Sequence, residues 1–179
     1  MKRGFEEGRR PGEVLLYSDQ SDLHLQPLIG DNWQMKGTQN RIPDARQNRK
    51  AYCFGAIDFM TGRVICSLKD RKRSDEFMEF LEVLRRKYRR LLIHLVMDNF
   101  SIHTSRKVKR YLERHPGVFV FHFLPTYSPW LNPMETVWRE MKAAVCRNKF
   151  HGTIENLKQA VRRYYLRCAI HEGALRAAA

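Results

Sequence analysis

A nearly continuous apolar run, LLIHLVM, occupies residues 91–97 and ends at Asp98. A run without polar alternation is typical of a parallel strand that is covered on both faces. Parallel neighbours must be joined by long crossovers, usually helices. Amphipathic patterns precede and follow this run, in SDEFMEFLEVLRRKYRR and in residues 104–115. The chain is therefore expected to be an α/β protein built around this strand.

Shorter apolar runs predict four further strands. They are Glu13–Ser18, the hairpin AYCFGAIDF and RVICSL that turns at Met60-Thr61-Gly62, and Val118–Phe123. Helices are predicted over residues 74–90, 104–115, 132–148 and 153–171, with Ser74, Asn132 and Thr153 as N-terminal caps. A hairpin extended by right-handed crossovers gives one mixed sheet with helices on both faces. That order is compatible with the ribonuclease H-like fold.

The length of 179 residues suits one domain with a sizeable core. We expect a flexible lead-in over residues 1–12, the domain over residues 13–172 and a tail over residues 173–179. Residues 26–50 are rich in Pro and Gly, show little periodicity and predict a long irregular segment. This segment ends in a basic stretch of Arg41, Arg46, Arg49 and Lys50.

Three acidic residues lie directly after apolar runs or at the start of a helix, where a carboxylate is not expected from the neighbouring residues. Asp19 closes the run VLLYS, Asp98 closes LLIHLVM, and Glu135 lies at the start of a helix that opens with Asn-Pro. If the two strands are neighbours, the carboxylates converge and would repel one another unless a cation held them. Oxygen-only clusters suit Mg²⁺ or Mn²⁺, and two such ions can support phosphodiester chemistry. The pattern therefore predicts a two-metal site at Asp19, Asp98 and Glu135.

Each acid also has an ordinary structural interpretation. Asp98 can cap the helix that follows it, and Asp19 can be a turn residue. Glu135 can reach back to the backbone N–H of Asn132 in a capping box. The three positions together favour the metal site, because each follows a strand or loop that can bring it to one edge of the sheet.

The charge of the chain indicates a polyanionic partner. Lys and Arg number 33 against 19 Asp and Glu, which gives a net charge of +14. The predicted second helix carries Arg106, Lys107, Lys109 and Arg110, and we expect these side chains to contact DNA phosphates. No apolar stretch reaches the roughly 20 residues that a membrane-spanning helix needs. The four cysteines lack paired C-x-x-C spacing, which predicts buried free thiols in a cytoplasmic protein.

Three blocks of the chain resemble a known family. They are YSDQSDLHLQPLIGDNWQMKGTQ, HLVMDNFSIHTSRKVKRYL and FHFLPTYSPWLNPMETVWREMK, and the interval of residues 99–134 between the second and third acids fits as well. These blocks resemble the catalytic blocks of bacterial mariner-like insertion-sequence transposases of the DDE endonuclease superfamily. The resemblance covers nearly all of residues 13–170.

The resemblance implies that Asp19, Asp98 and Glu135 form the metal-binding catalytic triad. It implies supporting roles for Asn99, His103 and Asn132. Two further elements match, namely Trp33 with Gly37 and Tyr127 with Ser128 and Pro129. The implied activity is hydrolytic cleavage at element ends, followed by transfer of a 3′-hydroxyl into target DNA with two Mg²⁺ or Mn²⁺ ions. A homodimer and a separate helix-turn-helix protein or upstream reading frame are left open as partners.

The chain departs from the family pattern in two respects. Gln20 stands where the family commonly has Glu, which removes a negative charge beside the metals. No helix-turn-helix pattern precedes the first strand, so a catalytic core alone is expected. Two alternatives stay open: a catalytically impaired DNA-binding remnant that regulates a full-length transposase, and a nuclease or Holliday-junction resolvase on the same fold.

Overall fold

The computed structural model describes residues 11–31, 33–37, 41–43, 47–125 and 128–177. The strands are β1 (Glu13–His24), β2 (Lys50–Asp58), β3 (Val64–Lys69), β4 (Leu92–Met97) and β5 (Phe119–Phe123). The helices are α1 (Ser74–Lys87), α2 (Arg106–Glu113), α3 (Met134–Val145) and α4 (Ile154–Ala177), with a 3₁₀ turn at Pro129–Leu131. The predicted alternation of strands and helices is confirmed.

The strands form one five-stranded sheet in the order β3-β2-β1-β4-β5. The pairs β1–β4 and β4–β5 are parallel. Phe59 donates its N–H to Leu15 O, and Leu25 donates to Arg49 O, so β1 and β2 run antiparallel. The sheet is therefore mixed, as predicted, and β4 is the parallel strand in its interior.

Strand β1 is longer than its apolar pattern predicts. It continues through His24, whereas the sequence predicted an end at Ser18. Ser18 is fully buried, and its Oγ donates a 3.0 Å hydrogen bond to Gly55 O. Because the sheet satisfies these polar groups, the strand continues past the end of its apolar residues. The prediction that Asp19 lies at the carboxyl end of a strand is therefore wrong, and Asp19 lies inside β1.

Capping at the helix ends follows the prediction in part. Thr153 Oγ1 accepts from Asn156 N at 3.2 Å, which confirms it as the cap of α4. Ser74 is not a cap; it is the first residue of α1, and its hydroxyl donates to Ile102 O instead. Helices α1, α2 and α3 end two to three residues before their predicted limits. Helix α4 continues to Ala177, past the predicted helix end at residue 171 and past residue 172.

The irregular segment is anchored at Gly30. Asn148 Nδ2 donates to Gly30 O at 2.8 Å, and Gly30 N donates back to Asn148 Oδ1 at 3.0 Å. Leu28 N also donates to Cys146 O. Arg41, Arg49 and Lys50 are exposed, as expected for a basic stretch, and Arg46 lies outside the described residues.

The described residues divide into two compact units. The first draws on the described residues within 11–19, 54–67 and 72–134, and the second on those within 20–53, 68–71 and 135–177. Fully buried apolar side chains of the first unit include Leu16, Phe54, Phe77, Phe80, Leu81, Leu84, Ile93, Leu95 and Met97. Those of the second unit include Leu23, Leu25, Met141, Leu157 and Val161, with Trp138 also buried.

The cysteines are free thiols. Cys53 and Cys146 are buried, as predicted, whereas Cys66 and Cys168 are partly exposed. Within the described part of the chain, no helix combines the length and the apolar character needed to cross a membrane.

Candidate active site

Asp19 and Asp98 occupy matching positions on neighbouring parallel strands. The register of β1 and β4 runs from Glu13 opposite Leu92 to Tyr17 opposite Val96. Each aspartate comes two residues after the last of these pairs. Continued two residues past the last recorded pair, this register sets residue 19 opposite residue 98, and paired residues of parallel strands share a face of the sheet. That the two carboxylates lie side by side stays a prediction. Asp98 directly follows the last residue of β4, as predicted.

His103 holds Asp98 from the turn that follows β4. Its Nδ1 lies 2.9 Å from the backbone O of Asp98 and 3.2 Å from Oδ1. The imidazole is buried, and its ring centroid lies 4.6 Å from that of Phe77. Burial lowers the pKa of His103 in spite of the nearby carboxylate, so the ring is neutral and Nδ1–H is the donor. His103 thus fixes the residue whose carboxylate the sequence assigned to metal.

Asn132 bonds to both the start of α3 and β1. Its Oδ1 accepts from Met134 N at 3.1 Å, so the predicted cap is confirmed. Its Nδ2 donates to Ser18 O at 3.0 Å, and the side chain is buried. The bridge holds Met134 to the residue that precedes Asp19. Sequence analysis found the cap but missed the bond to Ser18, whose one local signal is a serine at the end of an apolar run.

Glu135 is the second residue of α3 and is exposed. It belongs to the second compact unit, whereas Asp19 and Asp98 belong to the first. Among the residues that the structure describes, no group of three or more His, Cys, Asp or Glu side chains is arranged to hold a metal ion. The convergence of all three acids therefore stays a prediction.

Comparison with known proteins identifies the family. The chain matches the DDE superfamily endonucleases over residues 14–158. It belongs to that family. The insertion element IS630 uncharacterized 39 kDa protein of Shigella sonnei is 36% identical over 151 residues, which cover 84% of this chain and 44% of that protein. The chain thus spans less than half the length of that curated relative.

Solved structures share the fold of this DDE superfamily member. The Mos1 transposase paired-end complex with left transposon end has a TM-score of 0.66 at 18% identity, covering 92% of this chain and 51% of that one. The HTLV-2 integrase catalytic core domain in complex with magnesium (dimeric form) has a TM-score of 0.53 at 16% identity, covering 85% and 82%. These similarities confirm the ribonuclease H-like fold.

Gln20, the departure from the family pattern, is buried in β1. Successive side chains of a strand point to opposite faces of the sheet. Gln20 therefore does not share a face with Asp19, its neighbour in the strand. The effect of Gln20 on activity stays a prediction.

The remaining elements of the resemblance are placed in part. Asn99 is exposed beside Asp98. Gly37 has a φ of 89°, in the left-handed region that favours glycine. Trp33 is 99% exposed and Ser128 is partly exposed, with its carbonyl accepting from Leu131 N. Tyr127 lies outside the described residues.

The basic side chains of α2 are exposed. Arg106, Lys107, Lys109 and Arg110 surround the buried Val108, which faces the core. Lys107 Nζ lies 2.7 Å from Asp75 Oδ2 of α1, so part of its charge is balanced within the protein. Arg106, Lys109 and Arg110 fall on one side of the helix at spacings of three and four residues.

Proposed function

We propose that this chain is the catalytic part of an insertion-sequence DNA transposase, which cleaves DNA strands and transfers them with the help of divalent metal ions. Family membership is the observation that carries the proposal, and the parallel register of β1 and β4, which leads toward Asp19 and Asp98, supports it. The central residues would be Asp19, Asp98 and Glu135.

The donor set suits the metals that the sequence predicts. All three side chains offer only carboxylate oxygens, which Mg²⁺ and Mn²⁺ prefer. The strand spacing of about 4.8 Å is compatible with the separation of about 3.5–4 Å found in two-metal sites. Mos1 mariner paired-end complexes have been solved with Mn and with Mg. When bound, two such ions would stabilise the attacking and leaving oxygens of a phosphodiester.

The chain's own residues would prepare this site. His103 Nδ1–H, held near Asp98 Oδ1, keeps that carboxylate in one orientation. Asn132 fixes Met134 near Ser18, and Glu135 follows Met134 directly in the chain. We infer that Glu135 is the third ligand, as the match of its block to the family pattern implies.

DNA is the proposed substrate and partner. The net charge of +14 attracts a polyanion, and Arg106, Lys109 and Arg110 present cations along one side of α2. Asn99 would support the site from its position beside Asp98. A homodimer, a separate helix-turn-helix protein or upstream reading frame, and a cytoplasmic location stay predictions.

A cleavage assay with amide variants tests the proposal. Supercoiled plasmid carrying the gene with its flanking DNA would be incubated with Mg²⁺ or Mn²⁺ and the wild-type chain, or with Asp19→Asn, Asp98→Asn or Glu135→Gln. Loss of a metal ligand is expected to slow strand cleavage by roughly 100-fold or more, since removal of groups that merely support such ligands costs about 10–100-fold.

Glu140→Gln is the matched control, because Glu140 is an exposed glutamate of the same helix as Glu135. It should cleave at the wild-type rate. Equal metal-dependent cleavage by wild type and Asp98→Asn would contradict the triad. DNA binding without cleavage by the wild-type chain would favour the regulatory remnant instead.

A further inference from the structure

An arginine-lined cavity lies where the parallel strands begin. Its volume is about 970 Å³, and its lining includes Gly12, Arg85, Tyr88, Arg89, Arg90 and Gly117. Leu92 donates its N–H to Gly12 O, and Ile93 donates to Val118 O, both at 2.8 Å. These bonds tie together the first residues of β1, β4 and β5. This cavity, here named the amino-end pocket, belongs wholly to the first compact unit.

The pocket lies at the amino end of β4, whereas Asp98 follows the carboxyl end of that strand. Strand β4 begins at Leu92 beside the pocket and leads to Asp98 at its other end. At a rise of about 3.3 Å per residue, the two places are roughly 20 Å apart along the strand. The amino-end pocket is therefore separate from the proposed metal site.

The sequence RRKYRR at residues 85–90 supplies the positive charge. Arg85 is held by Glu82, with Nε and Nη2 each 2.8 Å from a carboxylate oxygen. The bonds from Arg85 lead the causes that lower the pKa of Glu82 to about 2. Arg86 contacts the same carboxylate at 2.9 Å. The Glu82 carboxylate thus binds both Arg85 and Arg86, while Arg89 and Arg90 are exposed at the pocket.

Arg90 adopts a backbone conformation that disfavours arginine. Its φ is 65°, in the left-handed region that glycine and asparagine adopt most readily. Strained backbone of this kind is found most often at functional positions. A helix end alone would be served better by glycine, so the arginine side chain itself is the feature that needs explaining.

Stabilisation of the α1 C-terminus explains only part of this cluster. Cations in the last turn of a helix interact favourably with its dipole, which accounts for Arg85, Arg86 and Lys87. Arg89 and Arg90 lie beyond Lys87, the last helical residue, and they line the cavity. Planar guanidinium groups recognise phosphate in a bidentate manner.

We propose that the amino-end pocket binds phosphate groups of the DNA backbone and forms a second DNA contact, remote from Asp19 and Asp98. The proposal rests on the proposed function in so far as DNA is the partner. It assigns Arg89 and Arg90 to backbone contact, which is independent of DNA sequence. The occupant is a stretch of duplex, because the pocket is open and the chain as a whole is strongly basic.

The test compares two double variants of equal charge loss in a binding assay with blunt duplex DNA and EDTA. Arg89→Gln with Arg90→Gly removes two of the three arginines that line the pocket and relieves the strained backbone. Arg162→Gln with Arg163→Gln removes two exposed arginines of α4. The pocket variant should bind roughly 10-fold more weakly, and its slope of log K against log salt should fall by about 2. The α4 variant should lose less than about 3-fold.

Thermal melting separates a ligand site from a helix end. The pocket variant should melt at or above the wild-type temperature because glycine tolerates the φ of residue 90. If the two double variants lose the same amount of DNA affinity, the loss reflects the net charge of the chain alone, and the pocket proposal is overturned. The same melting experiment is repeated with inorganic tripolyphosphate. If the pocket variant binds DNA like the wild type but is no longer stabilised by tripolyphosphate, the pocket binds a small polyphosphate and the proposed DNA contact is overturned.

The cleavage assay keeps this proposal distinct from the proposed function. If Asp98→Asn abolishes cleavage while the pocket variant binds DNA like wild type, the pocket proposal fails and the function stands. If neither the wild type nor any variant cleaves DNA, but the pocket variant binds DNA more weakly than the wild type, the proposed function fails and the pocket proposal stands.

Discussion

The two ends of the parallel strands in the first compact unit are built differently. Around the carboxyl end of β4, hydrogen bonds position the polar groups: His103 holds Asp98, and Asn132 holds Ser18 and Met134. At the amino end, the arginines at residues 89 and 90 are exposed and follow the end of a helix. Catalysis requires geometry fixed to fractions of an ångström, whereas phosphate contact tolerates mobile cations. Single substitutions should therefore have large effects on activity or stability at the carboxyl end, and small, cumulative effects on DNA binding at the amino end.

The largest effect on stability is expected at Asn132. Asn132→Ala removes the cap of α3 and leaves Ser18 O without its donor in a buried place, which should lower the free energy of unfolding by about 2–3 kcal/mol. Thr153→Ala, which removes an exposed cap from α4, should cost only about 1 kcal/mol. Urea unfolding measures both values.

Asn132→Asp sharpens this comparison. Aspartate keeps the capping oxygen but places a carboxylate oxygen against Ser18 O in a buried place, so the Asn132→Asp variant should be at least as unstable as Asn132→Ala. A cost for Asn132→Ala no larger than that for Thr153→Ala would show that the bond to Ser18 contributes nothing and that the carboxyl end is not held as described.

A smaller effect is expected at a pair of histidines on β4 and the edge strand β5. His122 Nε2 lies 3.0 Å from His94 Nδ1, and His94 Nε2 lies 3.4 Å from Glu13 Oε2. Burial, and then the charge of His94, lower the pKa of His122 below its ordinary value of 6.5. As the pH falls below about 6.5, the unfolded chain binds a proton before the folded one does, so stability decreases.

Between pH 7.5 and pH 5.5, the free energy of unfolding of His122→Gln should fall less than that of the wild type, by a few tenths of a kcal/mol. The difference is small because the side chain is exposed. Urea midpoints across that range give the comparison. Parallel stability profiles for the wild type and the variant would show that His122 titrates alike in the folded and unfolded chains.

Local pattern predicted the parts of the fold and site that depend on local chemistry. The run LLIHLVM predicted β4 and the position of Asp98 after it. The predicted cover on both faces is wrong, because only Ile93, Leu95 and Met97 are buried and the alternate residues of the strand are partly exposed. Asn-Pro before α3 gave the cap, because the Asn132 oxygen bonds to an N–H two residues away.

The features that were missed depend on partners distant in sequence. Strand β1 continues beyond Ser18 because Gly55, far along the chain, accepts from its hydroxyl. The second bond of Asn132 also spans a long stretch of chain, to Ser18. The amino-end pocket forms only when the starts of three strands are brought together. Periodicity in the sequence does not predict contacts between residues that are far apart along the chain.

Iron-directed cleavage of the protein tests the central claim most directly. Fe²⁺ would replace Mg²⁺ or Mn²⁺, and ascorbate with peroxide would generate radicals that cut the backbone beside the bound metal, with mass spectrometry locating the cuts. The account predicts cuts near Asp19, Asp98 and Glu135 together, suppressed by excess Mg²⁺ and lost in Asp98→Asn. Cuts near one of these residues alone, or a pattern unchanged in Asp98→Asn, would contradict a metal site shared by the three acids.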